Sequence, residues 1–359
     1  MDKVIGGVGS RKALIVKMGA IGDVVMAIPA VWALHQQGYQ IDWVCGEAIA
    51  PLLACYPWIR IIPVNDRLLM QGGRFSKARV LASLWSKLLP QSYDLCATLY
   101  YDVRYRMVTL PVRASRKVML SHRDRTRQLL PGRHHTDEYA RILLGWNDTY
   151  RPVGLSPIHP DALPANPLGE RKKSIRIALV PGGASNMLRS QILRRWPAEK
   201  YAELAKKIIH RGWEVVLVGG PDDGWVREYF SGIAVVDRIG GLRLPEVVSA
   251  FDACDAVISH DTGPMHLAGI SHAGLVGLFG PTDPGSFLPR REGSVGIWGG
   301  GGLACRPCYD GREFAPCMNN GCMQEIDVKT VLLKLDSLLS MRSNQTLMVS
   351  ISATAGAKE

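Results

Sequence analysis

Asp261, Thr262, Gly263 and His266 stand within one short run, "SHDTGPMHLAG", which offers a carboxylate, a hydroxyl and an imidazole around a Gly-Pro bend. The apolar segment "DAVISHD" (255–261) leads into it and reads as a strand, and a helical segment carrying His266 follows. The bend would turn the backbone amides of Thr262 and Gly263 outward, and His266 falls one helical turn after Thr262. A lone histidine is commonly structural. One that shares a turn with an aspartate and a threonine is placed to bind a ligand or hold a proton.

Three other stretches carry chemistry. "GAIGD" (19–23) follows a strand-like run. Gly22 lets the backbone approach a ligand, and Asp23 sits at a helix start, where it serves either as a cap or as a general base. The phosphate-binding pattern GxxxxGK[ST] is absent. "PGGASNMLRSQILRRWP" (181–197) joins Gly182 and Gly183 to Ser185, Arg189, Ser190, Arg194 and Arg195. Arginine forks and backbone amides suit a phosphate, so this loop is expected to bind an anion. "VGGPDDG" (218–224) ends a strand with an acidic pair that could take ribose hydroxyls or cap a helix. Cys305, Cys308, Cys317 and Cys322 form a separate cluster with C-x2-C at its head. Two readings stand: a knuckle holding structural zinc or iron, or reduced thiols packed as small apolar groups.

The elements that must position these residues alternate. "KALIVKM" (12–18), "QIDWVCG" (40–46) and "DLCATLY" (94–100) read as strands, with a helix over 24–38 ending at Gly38. The proline-rich stretch 156–174 reads as a linker. The alternation then restarts: strands in 175–183, 213–221, 255–261 and 274–284, helices over 198–212, 244–254 and 326–340. Two such halves imply an α/β chain of two Rossmann-like, doubly wound domains, with ligands at the carboxyl ends of the strands.

The 359 residues are 47% apolar and 21% charged, enough for two cored domains. No apolar run is long enough to span a bilayer, and the N-terminus lacks the apolar core of a signal peptide, so a cytoplasmic protein is expected. Much of the net charge of +11 lies between Tyr101 and Arg133, where Arg104, Arg106 and Arg113 stand. Such a patch suits nucleic acid, an anionic membrane or a phosphorylated substrate. The stretch carries no RNA-binding signature, so nucleic acid is not expected.

Taken together, "LIVKMGAIGDVVMAIPAVWAL", "IDWVCGE", "RRWPAEKYAELAKKI", "VVLVGGPDD" and "SHDTGPMHLAG…LFGPTDP" resemble glycosyltransferase family 9, the bacterial lipopolysaccharide heptosyltransferases. The resemblance runs over about residues 12–340. It implies a GT-B fold, two Rossmann-like domains facing across a cleft: an N-terminal acceptor-side domain (1–160), a linker (161–174), a nucleotide-sugar-binding domain (175–325), a C-terminal helix (326–342) and a mobile tail (343–359). It implies inverting transfer of heptose from ADP-L-glycero-β-D-manno-heptose to a lipopolysaccharide-core or other lipid-linked or saccharide acceptor, with no cofactor required for catalysis. Asp23 falls on the family's catalytic aspartate. Arg194 falls on its diphosphate-contacting residue, more often lysine. Asp223 would hold the ribose, and Asp261, Thr262, Gly263 and His266 would cradle the donor, with Gly22, Gly182, Gly183 and Ser190 beside them. Arg104, Arg106 and Arg113 would meet the acceptor, with the enzyme peripheral at the inner membrane face. The cysteine cluster departs from the core pattern. Some protein-modifying heptosyltransferases carry a cysteine-bound iron, which keeps a protein acceptor open, as is a different sugar donor or an epimerase or hydrolase on a nucleotide sugar.

Overall fold

The structure, a computed structural model, describes residues 11–149, 154–185, 191–310 and 313–355, with side chains described as far as 342. The chain divides into two compact units. The first takes Met1–Gly19, Met26–Leu130 and His135–Leu155; the second takes Ala20–Val25, Pro131–His134 and Ser156–Glu359.

The first unit is built on β1 (Arg11–Val16), β2 (Tyr39–Gly46), β3 (Ile59–Val64), β4 (Ser92–Thr98) and β5 (Arg113–Met119). All pairings are parallel, in the order β3-β2-β1-β4-β5. Leu14, Val16, Val44 and Cys96 from these strands pack with Leu81, Leu84 and Leu88 of the helix Arg74–Leu88. The helix Ile21–Gln36 stops where Gly38 adopts φ +85°, a left-handed conformation that glycine enters without a Cβ clash.

The second unit contains β6 (Arg176–Val180), β7 (Glu214–Leu217), β8 (Val236–Asp237), β9 (Ala256–His260), β10 (Gly274–Phe279) and β11 (Ser294–Trp298), parallel in the order β11-β10-β9-β6-β7-β8. Strands β6, β9 and β10 are buried along their whole length, which explains their unbroken apolar runs. The helix Ala198–His210 turns Tyr201, Leu204, Ala205 and Ile208 inward at helical spacing, against Val215, Ile258 and Leu335. Strand order reverses between β6 and β9, and ligands of open α/β sheets bind outside the carboxyl ends at such a point.

The proline-rich stretch differs from a free linker, because the second unit holds it. Ser249 Oγ donates to the Pro164 carbonyl (2.8 Å), and Arg171 reaches Asp255 (2.8 Å) and the Ala253 carbonyl (3.1 Å). The last helix, Val328–Ala355, also runs on through the segment expected to be a mobile tail. No proline or glycine interrupts the sequence there before Gly356. Among the described residues, no helix is long and apolar enough to cross a membrane.

Candidate functional site

The β6/β9 switch point gathers residues far apart in sequence. Asp261, just past β9, is 1% exposed. Its Oδ2 accepts a hydrogen bond from Thr282 Oγ1 (2.8 Å) and one from Arg194 Nη1 (3.2 Å). Its Oδ1 lies 3.9 Å from His266 Nε2 and has no hydrogen-bond partner. Burial pushes the Asp261 carboxyl up, but the Arg194 cation, His266 and the hydrogen bonds outweigh it, so the net direction is down and the group stays ionised. Arg194 keeps one donor unspent, since its buried Nε finds no acceptor. An orphaned guanidinium N–H at a sheet's carboxyl end is a ready contact for an anion.

His266 is 4% exposed. Burial lowers its proton affinity, Asp261 and Asp23 oppose that, and the net direction is down. The ring is therefore neutral near pH 7. Asp23, half-buried in the first turn of the helix Ile21–Gln36, groups with the second unit and lies close enough to bias the His266 proton. The packing accounts for Gly22: a Cβ there would lie 2.6 Å from His266 Cδ2. Gly263 likewise faces Ile21, whose Cβ would lie 3.1 Å from an added methyl. These glycines let two backbone segments close on one another with Asp23 and His266 at the join.

The neighbouring loop is held by Asp223. One of its oxygens accepts the Gly183 amide N–H (2.6 Å) and the other the Gly220 amide N–H (2.7 Å). The carboxylate is 7% exposed, so it locks two glycine turns together. Asp222, next to it, is the exposed member of the pair. Thr262 Oγ1 accepts the Ala184 amide N–H (2.9 Å), tying the β6 loop to the β9 turn. Gly183 has φ +83°, and a side chain there would collide with that same hydroxyl. Arg195 Nε donates to the Gly183 carbonyl (2.8 Å), and its guanidinium lies 4.9 Å from the Trp225 ring centroid. The loop's far end is anchored by Trp196, 1% exposed, whose Nε1 donates to the Ile326 carbonyl (2.9 Å).

The structure thus brings Gly22, Asp23, Gly182, Gly183, Arg194, Asp223, Asp261, Thr262, Gly263 and His266 into one connected region of the second unit. Ser190 and Arg189 lie outside the described residues. Arg195, expected in the anion-binding loop, is in the region too, and Thr282, His260 and Trp225 join it without having been singled out for a role. Thr282 stood in the quoted "LFGPTDP", but no local pattern ties it to Asp261, 21 residues earlier. His260 is fully buried beside the Tyr201 hydroxyl (3.2 Å), and burial, with the Arg194 and Arg195 charges, pushes it down to about 3.

The basic stretch is less free than its composition implies. Arg104 is bound to Asp102 (2.8 Å from Nε), Arg125 to Asp148 and Arg127 to Asp124. Arg106 and Arg113 are exposed, on the helix Tyr105–Thr109 and at the start of β5. The four clustered cysteines are close enough for their charges to interact, which helps raise the Cys308 and Cys322 thiols after burial has done so. Among the described residues, no three of them bring their sulfurs within 4.8 Å of one another, so as arranged they do not fit a closed tetrahedral metal site.

Comparison with known proteins agrees with this architecture. Residues 177–317 match the family model for glycosyltransferase family 9 (heptosyltransferase). Lipopolysaccharide heptosyltransferase 1 of Pseudomonas aeruginosa is 26% identical over 317 residues, 83% of this chain and 86% of that protein. Among solved structures, the family 9 glycosyl transferase from Veillonella parvula DSM 2008 superposes with TM-score 0.72 at 20% identity, covering 92% of this chain and 97% of that one. E. coli ADP-heptose lps heptosyltransferase II gives TM-score 0.70 at 20% identity, covering 92% and 99%. At that identity the structures speak for the fold, which is GT-B. With its two parallel α/β sheets, the matched C-terminal region and a relative aligned over most of its length, the chain is a glycosyltransferase whose residues 177–317 carry the glycosyltransferase family 9 pattern.

Proposed function

We propose that this chain transfers heptose, with inversion, from ADP-heptose to an acceptor of the lipopolysaccharide core, and that Asp23 is the general base. The observation that carries the reading is the packing of Gly22 on His266, which keeps Asp23 close enough to act electrostatically on a ring that lies 3.9 Å from Asp261. Asp23 would take the proton of an acceptor hydroxyl as that oxygen attacks the anomeric carbon. The bond from that carbon to the β-phosphate oxygen breaks, and ADP leaves. Arg194, with its free Nε–H, would meet the charge growing on the diphosphate.

The same geometry divides the remaining roles. Asp261 is buried and ionised, so it would repel a diphosphate placed against it; it serves instead to hold Arg194 and orient His266. Asp223 fixes the Gly183 amide, which leaves exposed Asp222 as the carboxylate for a ribose hydroxyl. Trp225, 38% exposed beside Arg195, offers a face for the nucleotide base. Exposed Arg106 and Arg113 suit a phosphorylated, lipid-linked acceptor at the inner membrane face.

The test is turnover of ADP-heptose with a core acceptor by wild type and Asp23→Asn. The variant should bind donor normally and lose activity by roughly 10²–10⁴-fold, the scale of general-base catalysis. Full activity in the variant would remove Asp23 from the mechanism. Preference for a uridine or guanosine donor would keep the fold and discard the named substrate.

A further inference from the structure

We propose that His159, Asp252 and His272 form a binding site for a divalent transition-metal ion of the zinc class, away from the sugar-transfer residues. They come from three segments of the second unit: the proline-rich stretch, the last residue of the helix Leu244–Asp252, and the turn leading into β10. His159 Nε2 lies 3.0 Å from Asp252 Oδ2, and His272 Nδ1 lies 3.1 Å from Asp252 Oδ1. All three ligand atoms fall within 4.8 Å of one another, and among the described residues no other trio of His, Cys, Asp or Glu does so.

The spacing suits the ion. Tetrahedral zinc with bonds of about 2.0–2.1 Å separates its ligand atoms by roughly 3.3 Å. Each histidine lies near that edge length from one carboxylate oxygen, His159 from Oδ2 and His272 from Oδ1, so the ion would sit between the rings on the carboxylate's two-oxygen face or draw one oxygen round to serve both. Two imidazoles and one carboxylate are also a common donor set for zinc with one position left to water. The carboxylate is already oriented, because the His272 amide N–H donates to Asp252 Oδ1 (2.6 Å). The His272 side chain is 70% exposed, so solvent reaches the fourth position. Binding asks each ring to present a lone pair at the nitrogen now facing Asp252, with its proton carried on the other ring nitrogen. The two ring centroids are 3.9 Å apart with planes tilted by 36°, so a small splay must accompany metal entry. Half-buried Arg291 acts electrostatically on Asp252, which tempers the affinity. A bound ion would add a further clip to the proline-rich stretch, which the His159–Asp252 contact, the Ser249–Pro164 hydrogen bond and the Arg171–Asp255 ion pair now hold.

The experiment uses the full chain with wild type, His272→Ala and His272→Gln. Zinc stoichiometry and affinity are read by titration calorimetry, and cobalt(II) serves as a spectroscopic probe. Cobalt at the cysteines gives intense sulfur-to-metal charge transfer in the near ultraviolet. Cobalt at a histidine-carboxylate site gives only weak visible d–d bands. The expected result is one zinc in wild type beyond any thiol-bound ion, with d–d bands free of charge transfer, and a rise in thermal stability on adding zinc. Both His272 variants should lose that equivalent or weaken it at least about tenfold, the scale even for outer-shell changes. If all three proteins bind the same number of ions equally well, if cobalt shows charge transfer alone, or if binding needs millimolar zinc, the trio is a hydrogen-bonded clamp and the proposal is wrong.

Discussion

Gly22→Ala is the sharpest test of how the proposed catalytic region is assembled. The added Cβ would lie 2.6 Å from His266 Cδ2 and 3.0 Å from Nε2. Carbon atoms in contact sit about 3.5–4.0 Å apart, so the clash is roughly 1 Å deep. His266 is buried and pressed against Asp261, so its ring has little room to swing away. The first turn of the helix must move instead and carry Asp23, the next residue, with it. A displacement near 1 Å in a catalytic group costs on the order of 100-fold in rate, or about 2.7 kcal/mol of barrier. Overpacking should also cost about 1–3 kcal/mol of stability. Steady-state kcat and KM with ADP-heptose, beside a thermal unfolding curve, measure both. Because the loss runs through His266, Gly22→Ala in a His266→Ala background should cost little beyond His266→Ala alone. Gly22→Ala with wild-type kcat and unchanged Tm would refute the packing of this turn on His266, and with it the placement of Asp23.

Other changes probe neighbouring parts. Asp261→Asn keeps the shape but leaves Arg194 without its carboxylate; breaking such a pair costs about 3–5 kcal/mol when fully buried, and less here because Arg194 is 19% exposed, so Tm should fall by several degrees and kcat should drop more than KM rises. Arg194→Lys keeps the charge and loses the fork, and should weaken ADP binding about tenfold by titration calorimetry while leaving Tm nearly unchanged. His260 is held neutral, its affinity pushed down from 6.5 to about 3. The unfolded chain therefore binds an extra proton between those values. The stability this burial supports is complete above pH 6.5 and is lost as pH falls toward 3, so denaturant melts of His260→Asn should show a shallower acid slope than wild type, by up to one proton. Trp196→Ala should cost about 3–5 kcal/mol and loosen the Arg194–Arg195 segment, read as a lower Tm with raised donor KM.

Much of the fold was legible because its signals are local. "KALIVKM", "DAVISHD" and "AEKYAELAKKIIHRG" announce strand and helix through apolar runs, period and a closing glycine, and each appears near its expected place. Edge strands were not. β5, "RASRKVM", alternates exposed and half-buried residues and carries three basic side chains, so it reads as part of a charged loop. β3 holds a proline, and β11 is nowhere fully buried; neither has the apolar density of a central strand.

The site divides in the same way. Which residues could do chemistry was visible in their types: Asp23 after two glycines, the arginines before Trp196, the aspartate and histidine of the β9 turn. What each one touches was not visible. Asp261 and Arg194 are 67 positions apart, and Gly183 and Asp223 are 40 apart. Their meeting depends on the reversal of strand order between β6 and β9, which brings separate loops to one sheet end. Burial then decides charge and role. Asp261 is held ionised by an arginine it cannot reach until the sheet forms. Asp223 spends both its oxygens on backbone amides, and His260 stays neutral because the fold removes water from it. Sequence patterns encode which elements form, since propensity and periodicity act over a few residues. Proximity, desolvation and hydrogen-bond partnership belong to the tertiary structure, because they exist only once distant segments exclude solvent together.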